Sequence, residues 1–213
     1  MKWFYDLKIS SKLILSFSLT LLLTVFLGVF SIVKLADVNA TTAEMEKDWM
    51  PSIGFVGNMN TNIAGFRAAE LQHILSVTEQ EMDKYEKEMN DHKAKLESNR
   101  NLYLPLALSE EEKRQVREFD EAWVKYLAMN KSVLELSRQN KNEEAKALLR
   151  GQSEELFETV GRQLENMAEV NHQGGIAASA RGEEHYQSSR AVLIILLVIC
   201  AAIGIILALF LAR

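Results

Sequence analysis

Two uncharged apolar runs, Leu13 to Val33 and Ala191 to Ala212, constrain this chain more than any other feature. Each is as long as a helix that crosses the ~30 Å hydrocarbon core of a bilayer at ~1.5 Å per residue. Two such anchors place the segment between them on one side of a membrane and both chain ends on the other. The expected division is a short N-terminus 1–12, a first span 13–33, an external domain 34–190 and a second span 191–212. Lys2, Lys8 and Lys12 beside Trp3, Phe4 and Tyr5 make a cytoplasmic flank with rings at headgroup level. A cleaved signal peptide ending at Val38-Asn39-Ala40 is the rival reading, but its apolar core would have only about 7–15 residues.

Between the spans, from Leu35 to Arg190, 19 Lys and Arg stand against 28 Asp and Glu. That acidity argues against nucleic acid as a partner, because phosphate neutralisation needs a clustered basic face. It leaves room for an anionic ligand, since one or two placed arginines bind a carboxylate inside an acidic protein. The single cysteine, Cys200, lies in the second apolar run, so no intrachain disulfide forms.

The external segment reads as helix almost throughout. A first helix continues out of the membrane to about Val77, kinked near Met50-Pro51, where proline removes a backbone donor. Thr78 to Glu81 is the first turn. Met82, Tyr85, Met89, His92, Leu96, Asn99 and Tyr103 then recur every three or four residues, which makes a bundle seam. Pro105 closes that helix. Ser109 with Glu112 forms a capping box for the third, whose seam is Val116, Phe119, Trp123, Leu127, Asn130, Leu134 and Ser137. Asn140-Lys141-Asn142 turns the chain, with Asn142 as a cap, into a fourth helix that runs unbroken into the second span. The small residues from Gly174 to Gly182 allow close helix approach. The fold class is all-α: an antiparallel four-helix bundle, up-down-up-down, with the spans continuous with helices one and four.

Chemistry is sparse. His73, His92, His172 and His185 show no metal spacing, and no nucleophile, phosphate-loop or dinucleotide motif occurs, so neither catalysis nor a cofactor or metal is expected. Recognition between helices remains. Arg67 interrupts an apolar stretch, where a cation is costly to bury alone. Measured from the turns, it sits at nearly the height of Arg150, Gln152 and Ser153. A simple ion pair of Arg67 with Glu70, and a solvated Arg150, are the plainer alternatives.

The plan and one motif resemble the bacterial methyl-accepting chemotaxis receptors whose periplasmic sensor is a four-helix bundle, the group of the aspartate and serine receptors. Asn62-Ile63-Ala64-Gly65-Phe66-Arg67 looks like that family's Asn-Arg-Ala-Gly-Ile-Arg segment. The resemblance implies a ligand contact at Asn62 and a carboxylate grip at Arg67. Ile63 stands where a second family arginine would be, and Asn58 where a further one would be. Arg150-Gly151-Gln152-Ser153 occupies the place of the family's Gln-Pro-Thr segment without reproducing it.

These departures argue against an aspartate receptor, while two arginines at one height suit a ligand with more than one negative group, a di- or tricarboxylate held by Asn58, Asn62, Arg67, Arg150, Gln152 and Ser153. The family also implies a homodimer, a small shift of helix four across the bacterial inner membrane, and cytoplasmic kinase and adaptor partners reached through a C-terminal signalling part beyond residue 213. A sensor half of a two-component histidine kinase, and a structural bundle without ligand, are the alternatives.

Overall fold

The computed structural model describes residues 8–107 and 109–211. Among them every regular element is helical: α1 (Ile9–Glu44), a π turn (Met45–Trp49), α2 (Met50–Leu75), α3 (Glu79–Tyr103), a 3-10 turn (Leu104–Leu106), α4 (Glu110–Arg138), α5 (Asn142–Arg150) and α6 (Gln152–Leu211). The chain divides into two compact units, Met45–Ile176 and Met1–Glu44 with Ala177–Arg213.

The first unit is the four-helix bundle. Asn58 meets Asn99 and His73 meets Glu86 across α2 and α3. Arg100 meets Asp120 across α3 and α4, and Arg67 meets Ser153 across α2 and α6. In each pairing a later residue of one helix faces an earlier residue of the other, so neighbours are antiparallel. Part of each seam predicted from spacing forms the core: Met89, Leu96, Tyr103, Val116, Phe119 and Trp123 pack with Val56, Met59, Ile63 and Phe66 of α2 and Val160, Leu164 and Met167 of α6, while Tyr85, His92 and Asn99 are only half-buried. Phe66 anchors an aromatic group, its ring edge-on to Trp123 at 5.3 Å and to Tyr126 at 5.9 Å.

Four local expectations change. The irregularity near Pro51 falls one turn earlier, as the π turn Met45–Trp49: proline has no N–H for the Lys47 carbonyl, and a wider turn absorbs the loss. The first turn is Ser76 to Thr78, not Thr78 to Glu81, because the Thr78 hydroxyl caps α3 by accepting from the Glu81 amide and so draws Glu79 to Glu81 into the helix. Asn142 is the first residue of α5 and not its cap; Asn140 does the turning, in the left-handed conformation at φ 58°, while Lys141 N–H bonds back to the Leu136 carbonyl. The fourth helix is not unbroken: Gly151 separates α5 from α6. The capping box at Ser109 and Glu112 forms as expected, with both reciprocal bonds.

In the second unit α1 and the later part of α6 run side by side. Arg181 pairs with Glu44 at 2.9 Å, and a Cβ on Gly182 would lie 3.3 Å from Thr41 Cγ2. Both helices are long and apolar enough to cross a membrane. Their large apolar side chains, such as Leu21, Val25, Ile195 and Val198, point outward, which suits a lipid surround and would be unfavourable in water.

Candidate functional site

The site is built where α5 gives way to α6. Ending α5 at Arg150 leaves carbonyls without helical donors, and starting α6 at Gln152 leaves amides without acceptors. Arg67 enters this gap from α2. Its Nη2 donates to the Leu149 carbonyl at 3.0 Å and to Glu154, and its Nη1 donates to the Ser153 hydroxyl at 2.8 Å and to Glu70 at 2.9 Å. One planar fork therefore takes up a carbonyl before the break and two side chains after it, while the Glu154 and Glu155 amides donate to the Gly151 carbonyl.

Burial sets the electrostatics. Arg67 is 7 % exposed and Glu70 fully buried. An ion of either sign costs several kcal/mol to desolvate unless it is paired and hydrogen-bonded, and here both ions are: Arg67 donates four hydrogen bonds, one of them to Glu70. Glu70 also accepts from the Tyr126 hydroxyl at 2.7 Å and from Asn130 Nδ2 at 2.7 Å. Burial pulls the Arg67 pKa down, but Tyr126, Glu70 and Glu154 outweigh that and hold it above the ordinary arginine value. Burial, then the Glu70 charge, pushes the Tyr126 phenol far up, so it stays a donor. The Phe157 ring lies 5.1 Å from Arg67 Cζ, a further cation contact.

Nearer the tip a second polar group crosses the bundle. His73, buried completely, has Nδ1 2.9 Å from Ser137 Oγ and Nε2 3.1 Å from Glu86. Arg138 donates to the same Glu86 and to Asp83. Burial lowers the His73 pKa despite Glu86, and the Ser137 hydroxyl also donates to the His73 backbone carbonyl at 3.2 Å.

Of the six residues singled out from sequence, the structure brings Arg67 and Ser153 into direct contact. Arg150 and Gln152 flank Gly151 and face solvent. Asn58 and Asn62 engage α3: Asn58 donates to Asn99, and Asn62 meets the His92 ring, which lies against Gly65 so closely that a Cβ there would be 2.3 Å from it. The pairing of Arg67 with Glu70 is present.

Sequence reading passed over Tyr126, Leu149 and Glu154. Tyr126 carried a usable signal, since it sits three residues after Trp123 and four before Asn130, on the buried face. Leu149 acts through its backbone and Glu154 through a break that the sequence hid, so neither had one.

A family model described as a four helix bundle sensory module for signal transduction matches residues 6–186. No curated protein matches the chain.

Proposed function

We propose a mode of action from one premise: the chain belongs to the family of four-helix-bundle sensory modules for signal transduction in methyl-accepting chemotaxis proteins. It acts as a transmembrane chemoreceptor sensor in the bacterial inner membrane. The N-terminus is cytoplasmic and the bundle periplasmic. The bundle takes up a small di- or tricarboxylate and passes a shift of α6 to kinase and adaptor proteins of the chemotaxis pathway in the cytoplasm.

The observation that carries this reading is the inequality of the partners of Arg67. Glu70 and Ser153 are buried with it, whereas the Glu154 side chain is 46 % exposed and reaches the guanidinium from the surface. A ligand carboxylate offers Nη2 the same charge and geometry as Glu154. Exchange of one for the other keeps the buried cation paired, which avoids the penalty of opening such a site.

Arg150 and Gln152, exposed beside Gly151, add a cation and an amide for a second carboxylate. Asn58 and Asn62 lie about 13 and 7 Å from Arg67 along α2 at ~1.5 Å per residue, within reach only of the far end of a longer ligand. Releasing Glu154 frees the first turn of α6, a helix of 60 residues. A displacement of ~1–2 Å along such a helix is of the size that signalling interfaces use.

The sensor works as a homodimer joined through α2. Gly54, Gly57, Thr61, Ala64, Ala68 and Leu71 recur every three or four positions, and all are exposed. A stripe with that period matches the seam of a second copy of the same helix, and its small residues permit close backbone approach.

The test is a thermal-shift screen of the chain against di- and tricarboxylates, amino acids and aromatic acids. A true ligand at 100 times its Kd adds about 2.7 kcal/mol to stability. If no acid in the panel moves the melting temperature, the organic-acid reading fails.

A further inference from the structure

Within the unit of paired long helices, α1 and α6 leave a groove of about 370 Å³, lined by Lys34, Tyr186, Arg190, Leu35, Val38 and Leu193 among others. Its walls are apolar, and two of the residues that line it, Lys34 and Arg190, are cations from different helices. Lys34 is the first charge after the run that ends at Val33, and Arg190 the last before the run that begins at Ala191. On the reading that these runs cross a bilayer, Lys34 and Arg190 lie at the level of the headgroups, and the groove continues past them to Leu193 and Ile194 in the acyl layer.

We infer that this groove holds an anionic phospholipid, its phosphodiester between Lys34 and Arg190 and the first part of an acyl chain against Leu193 and Ile194, on the membrane side of those charges. Charge complementarity selects the occupant. Among the described residues no carboxylate lies within ion-pair distance of Arg190. Lys34 is 3.1 Å from Asp37, an exposed pair of i,i+3 type, and such pairs hold their partners weakly. The Ser31 hydroxyl is spent on the Leu27 carbonyl at 2.7 Å, so it does not compete for the phosphate. A soluble anion finds the charges but gains nothing from the apolar walls. A lipid meets both requirements, and the groove is too small for more than one short acyl segment.

The experiment uses the whole chain in nanodiscs of equal phosphatidylglycerol and phosphatidylcholine, with retained lipids counted by native mass spectrometry after release. Phosphatidylglycerol is expected to be enriched among them. A cation at a membrane surface contributes about fivefold to such a preference, so Lys34→Gln with Arg190→Gln removes most of the enrichment. Arg181→Gln, which breaks only the pair with Glu44, leaves it unchanged. Millimolar glycerophosphoglycerol or inorganic phosphate does not displace the lipid. Equal retention of the two lipids, an equal loss with Arg181→Gln, or displacement by the soluble phosphates overturns the site. Failure of the chain to enter nanodiscs overturns the membrane reading beneath it as well.

Discussion

Arg67 Nη2 lies 3.0 Å from the carbonyl oxygen of Leu149, so a side chain of α2 supplies the hydrogen bond that α5 loses where Gly151 ends it. The same guanidinium neutralises the fully buried Glu70. Arg67→Ala therefore removes a cap and strands a charge, and about 3–5 kcal/mol of stability is expected to go with it. Arg67→Ala combined with Glu70→Ala should cost less than the two single changes added, because each single change alone leaves one ion uncompensated. Denaturant unfolding of the four proteins measures both. A loss below about 1 kcal/mol for Arg67→Ala would show that the network is solvated.

His73 gives the bundle a pH dependence. Its folded pKa is lowered, first by burial, so below the unfolded value of about 6.5 the unfolded chain binds a proton that the folded one refuses. Its contribution is fully present above that pH and declines as pH falls beneath it. Glu86, held below the ordinary carboxylate range chiefly by Arg138, adds a loss that begins only under about 4.3. Melts at pH 7.5 and 5.5 isolate the histidine. His73→Gln should shrink the difference between them; an unchanged difference assigns it elsewhere.

Two glycines of α6 should respond to alanine with opposite sign. A Cβ on Gly161 meets nothing within 4 Å, so Gly161→Ala stabilises by about 0.5–1 kcal/mol through helix propensity. A Cβ on Gly174 would fall 2.1 Å from the Trp49 ring, so Gly174→Ala forces the ring aside and destabilises by about 1–3 kcal/mol. Thermal melts of the two variants read the contrast.

Self-association through α2 has its own probe. Ala68 is exposed on the proposed dimer seam, and Ala68→Arg places a like charge and a long side chain on that face from each copy. Sedimentation in detergent should show a dimer for the native chain and a monomer for the variant, with both equally folded by circular dichroism.

The sequence made the bundle legible because α3 and α4 carry one apolar seam each at regular spacing, and because Ser109 with Glu112 is a local signal that needs no tertiary help. It did not reveal the break at Gly151. Glycine in a helix is tolerated at about 1 kcal/mol, and the hydrogen bond that takes up the Leu149 carbonyl at the break comes from Arg67, 82 residues away. The candidate site was half legible for the same reason. Arg67 stood out as a cation in an apolar stretch, but which of its neighbours it would bind depended on Asn130, Tyr126 and Glu154 arriving from two other helices.

The exchange of Glu154 for a ligand on Arg67 is tested most directly by the affinity of an active carboxylate for Glu154→Gln. Removing the internal competitor while keeping its shape should tighten binding by about tenfold, the equivalent of about 1.4 kcal/mol. Calorimetric titration of the native and variant chains gives that ratio. Equal or weaker binding by Glu154→Gln would contradict the account, because the carboxylate would then be settling somewhere other than on Arg67.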